Sequence, residues 1–202
     1  MVATSRKYII WKGRRNSEGI ALTFDDGPHP AYTPAILDIL RYYEISATFF
    51  LAGSEIAEYP ELANRIIQFG HNIGNHTYSH SILRNMDKAS LEYEINKTEE
   101  VINEYTGRTT SLFRPPKGVI SLPMLRICMK QELKVIMWSV DSIDYSAEDS
   151  QSVIRNVDPD RVSNGDIILF HDKNIHTQKA LPILIEEFRK KGLTFSTVKQ
   201  ML

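Results

Sequence analysis

The stretch "GIALTFDDGPH", from Gly19 to His29, decides the fold because an apolar run ends abruptly in two carboxylates and a turn. A short apolar run bounded by turn residues is typical of a strand that is buried on both faces. Gly27 and Pro28 suit a tight turn, for which one Asp would be enough. Asp25 and Asp26 together also suit a site in which one carboxylate holds a metal and its neighbour moves protons. This stretch alone leaves both interpretations open.

Apolar, β-rich runs alternate with stretches of helical period along the rest of the chain, which predicts a parallel sheet. Seven such runs favour closure into a TIM-barrel-like (β/α) barrel over an open doubly wound sheet. No glycine-rich phosphate loop follows the first strand, which also argues against a dinucleotide-binding fold. The predicted strands cover residues 20–24, 47–51, 71–74, 111–113, 134–140, 166–170 and 194–196.

Helix signals fill the intervals between these strands. Thr33 is predicted as an N-cap followed by Pro34 at the first helical position. A second helix is predicted over residues 60–70, and the clearest one over about residues 90–105, with Gly107 just beyond its end. We therefore expect an N-terminal extension over residues 1–19 and one catalytic domain over residues 20–202.

The composition is that of an ordinary soluble globular domain. The 202 residues are 42% hydrophobic and 24% charged, with a formal net charge of -1. The scattered basic residues argue against nucleic acid or an anionic membrane as the main partner. No apolar run of about 18 residues and no signal-peptide pattern is present, so no membrane-spanning segment is expected. The single cysteine, Cys128, cannot form an internal disulfide and is expected to be buried.

Polar segments follow most of the predicted strands. After the first strand come the two acids, and later strands are followed by "GNHTYSH", "RPPKG", "DSIDY" and "HDKN". In a barrel of parallel strands these ends open on one face, where the connecting loops build active sites. Their convergence favours an enzyme.

His76 and His80 are four residues apart, so on one turn of helix they could bind the same ion. Two histidines at this spacing, with no third ligand, are more often capping or surface residues. Asp26 would complete a set of three metal ligands that leaves coordination positions open for water and substrate. Such a site suits a hydrolase that needs a base and an acid, and Asp25 and His171 fit those roles. In isolation, His171 also suits a core position.

The segments "TFDDGP", "HTYSH", "RPPKG", "DSIDY" and "LFHD" resemble, in this order, the five motifs of the polysaccharide deacetylases. This family is also called carbohydrate esterase family four or the NodB homology domain. The resemblance runs from about residue 20 to the C-terminus. It implies a distorted (β/α) barrel that removes N- or O-acetyl groups from sugar polymers with a divalent metal, commonly zinc. Two histidines and a carboxylate would also accept cobalt, nickel, manganese or iron.

The resemblance also implies residue roles. Asp25 would be the general base, oriented by Arg114, and His171 the general acid, paired with Asp141. Leu169 would line a pocket for the acetyl methyl group, and a backbone N–H near Lys117 would stabilise the oxyanion. The implied metal ligands are Asp26, His76 and His80, and the implied substrate-binding residues are Pro116, Lys117, Tyr145 and Leu169.

Two positions depart from the family pattern. Lys117 replaces a usual aromatic residue and would either favour an anionic substrate or alter the stacking of the sugar, and Tyr145 replaces a usual Trp. The expected activity is N-deacetylation of N-acetylglucosamine polymers, with peptidoglycan favoured over chitin-like chains and acetyl-xylan third. A small amide, a formamide, a lipid-linked sugar or a non-catalytic carbohydrate-binding role are the alternatives. We expect a monomer that acts outside the cytoplasmic membrane, and a cytoplasmic location stays open.

Overall fold

The computed structural model describes residues 8–14 and 16–202, and its centre is one sheet of eight strands. Every pair of neighbouring strands is parallel, and the order is β1-β6-β5-β4-β3-β2-β8-β7. Among the described residues the two outermost strands do not pair with each other, so the curled sheet is an incomplete barrel. The strands are β1 Ile9–Ile10, β2 Ala21–Asp25, β3 Thr48–Leu51, β4 Asn72–Asn75, β5 Leu112–Phe113, β6 Lys134–Ile136, β7 Val140–Asp141 and β8 Ile167–His171.

This architecture confirms the predicted α/β barrel class, with eight strands where seven were predicted. Residues of the expected N-terminal extension form β1, where Ile9 lies opposite Val135. The predicted strand over 134–140 is divided into β6 and β7. The predicted strand over 194–196 is reduced to one bridge, between Ile20 and Phe195.

Helices follow most of the strands. In the long helix over Lys88–Thr106 the side chain of Asp87 accepts a hydrogen bond from the N–H of Ser90, and Gly107 ends the helix with φ of 64°. The predicted N-cap at Thr33 is wrong by one residue, because the helix begins at Thr33 and Tyr32 precedes it as the cap. The helices are α1 Thr33–Tyr42, α2 Gly53–Glu58, α3 Pro60–Gln68, α4 Lys88–Thr106, α5 Leu122–Lys130, α6 Ser150–Val157 and α7 Ile175–Lys190.

Successive side chains of β2 face two different hydrophobic cores, and this alternation determines which way Asp25 points. Leu22 and Phe24 belong to the core between sheet and helices, where Phe24 stacks on Phe49 with ring centroids 4.9 Å apart. Ala21 belongs to the separate core inside the barrel. Because successive side chains of a strand point to opposite faces, Asp25 is in phase with Ala21 and faces the barrel interior. The last residue of β2 therefore places a carboxylate at the end of the barrel where the carboxyl ends of the strands meet.

Candidate active site

A cleft of about 540 Å³ opens where the carboxyl ends of the strands meet. Nine of the residues predicted for the site line it, and Gly118 and Trp138 line it as well. Arg114 is fully buried and reaches the site from inside the barrel. Pro116 is buried in a short turn and is not among the residues that line the cleft. The predicted residues in the lining are Asp25, Asp26, His76, His80, Lys117, Asp141, Tyr145, Leu169 and His171.

Asp26, His76 and His80 form a three-residue cluster at one side of the cleft. One side-chain atom from each lies within 4.8 Å of the others. Asp26 Oδ1 is 3.4 Å from His76 Nε2 and 3.1 Å from His80 Nε2. Although burial alone would raise the pKa of Asp26, its contacts with the two imidazoles hold that pKa below its usual range. The carboxylate is therefore ionised and faces two ring nitrogens.

These residues fit a divalent transition metal on two observations. Asp26 Oδ1 is buried and makes no hydrogen bond among the described residues, which is costly for a carboxylate oxygen unless a cation compensates it. His76 donates its Nδ1–H to the carbonyl oxygen of Arg114, 2.7 Å away, so its Nε2 keeps a lone pair towards the cluster. Metal-binding histidines are commonly held in this way by a partner on the other ring nitrogen.

The two histidines do not lie on one turn of helix, the geometry in which their spacing of four residues would let them bind the same ion. Residues 76–80, here called the ligand loop, follow β4 in an irregular conformation. Thr77 has a φ of 67° and His80 a φ of 53°. Left-handed backbone at two non-glycine residues turns the chain sharply, and the ring centroids of His76 and His80 come within 5.1 Å.

Asp25 is paired with a buried guanidinium. Arg114 Nη1 donates to Asp25 Oδ1 at 2.7 Å and to Thr23 Oγ1 at 2.8 Å. Its other nitrogens donate to the carbonyl oxygens of Ile136 and Met137, each at 3.0 Å. Burial lowers the pKa of Arg114, and the charge of Asp25 opposes that shift. An arginine side chain is not deprotonated in proteins, so the pair is ionic. These bonds take up the carbonyls of the last residue of β6 and of the residue that follows it, where the predicted longer strand is interrupted.

The carboxylate that orients His171 is Asp144, and the predicted pairing with Asp141 is wrong. His171 Nδ1 is 2.6 Å from Asp144 Oδ1, and the His171 backbone N–H donates to Asp144 Oδ2 at 2.8 Å. Asp144 is fully buried and also accepts a hydrogen bond from the Thr177 hydroxyl. Asp141 instead accepts the backbone N–H of Ile143. A short turn over Asp144–Ser146 directs the second acid of "DSIDY" inward.

This pairing keeps His171 protonated at neutral pH. Burial alone would lower the pKa of His171, but the hydrogen bond and charge of Asp144 raise it to about 9, with further contributions from Asp25 and Asp26. A proton held at Nδ1 by a carboxylate leaves Nε2 as the donor towards the cleft. His171 therefore has the charge and the orientation of a general acid.

Gly27 is required in the turn after β2 because the Asp172 side chain packs closely against its Cα. A Cβ at this position would lie 2.0 Å from Asp172 Oδ2, so no side chain fits. Asp172 is fully buried, and its Oδ2 accepts the Thr33 hydroxyl at 2.6 Å. The same hydroxyl accepts the His29 N–H at 2.7 Å. These contacts attach the turn that carries Asp25 and Asp26 to the end of β8.

The other walls of the cleft are aromatic and apolar, with one cation. Tyr145 is 65% exposed, and its ring meets that of His171 edge-on with centroids 5.7 Å apart. Leu169 is buried on β8, where a small pocket for a methyl group was expected. Lys117 lines the cleft on a backbone with φ of 55° and forms no ion pair with the described residues. Trp138 packs against Gly118, whose added Cβ would lie 2.8 Å from the indole ring.

Two residues of the site, Asp144 and Trp138, are not singled out by the sequence patterns. Asp144 was visible as the second acid of "DSIDY", next to the aromatic Tyr145. Trp138 lies in the predicted strand over 134–140, so nothing local distinguished it from a core residue. An interruption of that strand was needed to bring its ring into the cleft.

Metal-dependent hydrolases are the class of enzyme that this barrel and this cleft define, because an open ligand set lies beside both a paired carboxylate and a protonated histidine. The chain belongs to the polysaccharide deacetylase family, whose sequence profile matches residues 12–136. It is 34% identical over 200 residues to a peptidoglycan-N-acetylglucosamine deacetylase of Bacillus cereus, covering 96% of this chain and 93% of that protein. It is 38% identical over 159 residues to a chitooligosaccharide deacetylase of Azorhizobium caulinodans, covering 78% and 75% respectively.

A solved structure is similar over the whole chain. The Bc1960 peptidoglycan N-acetylglucosamine deacetylase, crystallised with a hydroxamate, superposes with a TM-score of 0.94 at 34% identity. The match covers 100% of this chain and 96% of that one. The predicted family and its hydrolytic, polysaccharide-deacetylating activity are thereby confirmed. The family is metal-dependent, and its substrates are N-acetylated glycans.

Proposed function

We propose that this enzyme removes N-acetyl groups from N-acetylglucosamine residues of peptidoglycan, with one Zn²⁺ held by Asp26, His76 and His80. The observation that carries the proposal is that this ligand cluster, the Asp25–Arg114 pair and the Asp144–His171 pair all reach one cleft. A divalent ion at the cluster would act as a Lewis acid and make a water acidic enough to react near neutral pH.

The chain's own groups supply the proton transfers. Arg114 occupies Asp25 Oδ1, which leaves Oδ2 to accept a proton from the water that adds to the acetamide carbonyl. His171 Nε2 donates a proton to the sugar nitrogen as the C–N bond breaks. Acetate and a free amine are the products. Leu169 would contact the acetyl methyl group, and a backbone N–H near Lys117 would stabilise the oxyanion.

Peptidoglycan is favoured over chitin-like chains by one feature of the cleft. Lys117 is an exposed cation without an ion pair among the described residues, and it lines the wall next to Trp138. Peptidoglycan carries carboxylates on its peptide stems and on muramic acid residues that lack a stem, whereas chitin is neutral. The peptidoglycan deacetylase of Bacillus cereus is also similar over nearly its whole length.

The proposed location follows from this substrate, and the monomeric state is a separate expectation. We place the enzyme at the cell envelope or outside the cell, where its polymer is found, and expect it to act as a monomer. No helix within residues 8–14 and 16–202 is long and apolar enough to cross a membrane. Size-exclusion chromatography with light scattering tests the monomer.

Acetate release after metal exchange tests the function. The protein is stripped with a chelator and reloaded with Zn²⁺ or Co²⁺, and acetate is measured from peptidoglycan and from N-acetylglucosamine oligomers. We expect little release from the stripped protein, restored release after reloading, and a higher rate on peptidoglycan. Higher rates on the oligomers would indicate that chitin-like chains are the substrate instead of peptidoglycan. No release with proven metal occupancy would contradict it and favour a small amide substrate or a binding role.

Lys117→Met removes the charge at the cleft and keeps most of the side-chain length. We expect KM for peptidoglycan fragments to rise about two- to fivefold at low salt, with kcat nearly unchanged, because an exposed charge contributes modest uniform binding. Neutral oligomers should be hydrolysed as before. Lys130→Met, an exposed lysine on α5, is the matched control. Equal effects on charged and neutral substrates would contradict the electrostatic role.

A further inference from the structure

The ligand loop has a backbone that its own sequence does not favour. Thr77 and His80 both adopt positive φ, which is uncommon for residues other than glycine and rare for a β-branched residue. Such a conformation persists only when surrounding contacts hold it in place. The contacts around the loop are therefore expected to matter for the ligands that it carries.

Glu94 on α4 provides three of these contacts from one carboxylate. Its Oε2 accepts the backbone N–H groups of Tyr78 at 2.9 Å and Ser79 at 2.8 Å. Its Oε1 accepts the Ser79 hydroxyl at 2.7 Å. Glu94 is only 7% exposed, and a glutamate is rarely buried unless its charge is compensated.

The compensation comes from the loop itself. The ion pairs of α4 among the described residues join Lys88 to Glu92 and Lys97 to Glu100, and neither includes Glu94. Hydrogen bonds from backbone N–H groups to a carboxylate are charge-assisted and stronger than those between neutral groups. The buried charge of Glu94 thus favours the one loop conformation that presents both N–H groups to it.

His80 depends on this support more than His76 does. The Nδ1 of His76 is held by the carbonyl oxygen of Arg114, and the side chain is 2% exposed. The ring of His80 is 35% exposed, and its contact with a described polar group is the one from Nε2 to Asp26 Oδ1. The position of the His80 ring is therefore set mainly by the backbone of the ligand loop.

We propose that Glu94 is a positioning residue for the metal site, because it holds the ligand loop in the conformation that brings His80 to Asp26 and His76. This inference rests on the metal site of the proposed function. Glu94 does not touch substrate or metal. It acts through the Tyr78 and Ser79 amides, and its removal should weaken metal binding before it affects the contact with the glycan.

The test is the affinity of the stripped protein for Co²⁺, measured by chelator competition and by the visible absorption of the bound ion. For Glu94→Ala we expect a Kd that is about 10- to 100-fold higher and an altered spectrum, as is typical when the support of a metal ligand is lost. KM for the glycan at saturating Co²⁺ should be unchanged. Glu94→Gln, which retains an oxygen acceptor for the two N–H groups, should give an intermediate Kd.

Val101→Ala is the matched control, because Val101 is buried on the same helix seven residues beyond Glu94, and its apolar side chain has no group that could accept the loop N–H groups. It should lower Tm without changing the Kd by more than twofold. An unchanged Kd and spectrum in both Glu94 variants would overturn this inference. If Glu94→Ala does not fold, Glu94→Gln and Ser79→Ala carry the same comparison.

Co²⁺ binding and acetate release by the wild-type protein distinguish a failure of this inference from a failure of the proposed function. Wild-type protein that binds Co²⁺ but releases no acetate would overturn the proposed deacetylation, and a weaker Kd in Glu94→Ala would still support positioning. Wild-type protein that binds Co²⁺ and releases acetate, together with Glu94 variants of unchanged affinity, would overturn the positioning role alone.

Discussion

Replacing Asp25 with Asn is expected to lower kcat by about 10²- to 10⁴-fold while leaving the binding of glycan largely intact, because a positioned base contributes rate enhancements of this size. Asn keeps an oxygen that accepts from Arg114 but cannot take a proton from water. Single-turnover acetate release gives the rate, and binding of an oligosaccharide to the variant gives the affinity. Activity equal to that of the wild type would refute Asp25 as the base.

The same substitution has a stability cost that must be measured separately. Arg114 is fully buried, and removal of the Asp25 charge leaves the guanidinium without its ionic partner. We expect a loss of about 3 kcal/mol in the free energy of unfolding, measured with urea. Kinetics are therefore compared at a temperature where both proteins are folded.

Asp144→Asn is expected to lower kcat by about 10²- to 10⁴-fold and to move the alkaline limb of its pH profile to lower pH. The raised pKa of His171, about 9, means that the imidazolium is present below pH 9 and is lost as the pH rises through that value. Without the Asp144 charge the pKa falls, so the proton is lost at lower pH. A bound divalent ion would lower the pKa in both proteins, and the shift between their profiles is the measured quantity.

Asp141→Asn is the matched control, since both acids belong to "DSIDY" and only Asp144 contacts the His171 ring. The control should keep the wild-type pH profile and lose at most a small part of its rate. A larger loss in Asp141→Asn than in Asp144→Asn would contradict the pairing seen in the structure. An unshifted limb in Asp144→Asn would contradict His171 as the acid.

Much of the fold was predictable because it follows from local patterns. The buried run before Asp25 and the helix over about residues 90–105 are confirmed, since hydrophobic periodicity and caps act within a few residues. The short strand β1 and the interruption after β6 were not predictable in this way. They depend on pairing with Val135 and on hydrogen bonds from Arg114, which are distant in sequence.

For the site, the sequence by itself determined which polar residues lie at the strand ends, because the carboxyl ends of parallel strands in a barrel share one face. Only the tertiary structure decided how those residues pair. Asp141 and Asp144 are three residues apart, and a turn that packs on β8 selects the second as the partner of His171. The ligand loop, with its two left-handed residues, accepts support from Glu94, which lies 15 residues beyond Ser79 in the sequence. Local patterns contain no information about such contacts, because packing between separate elements brings the groups together.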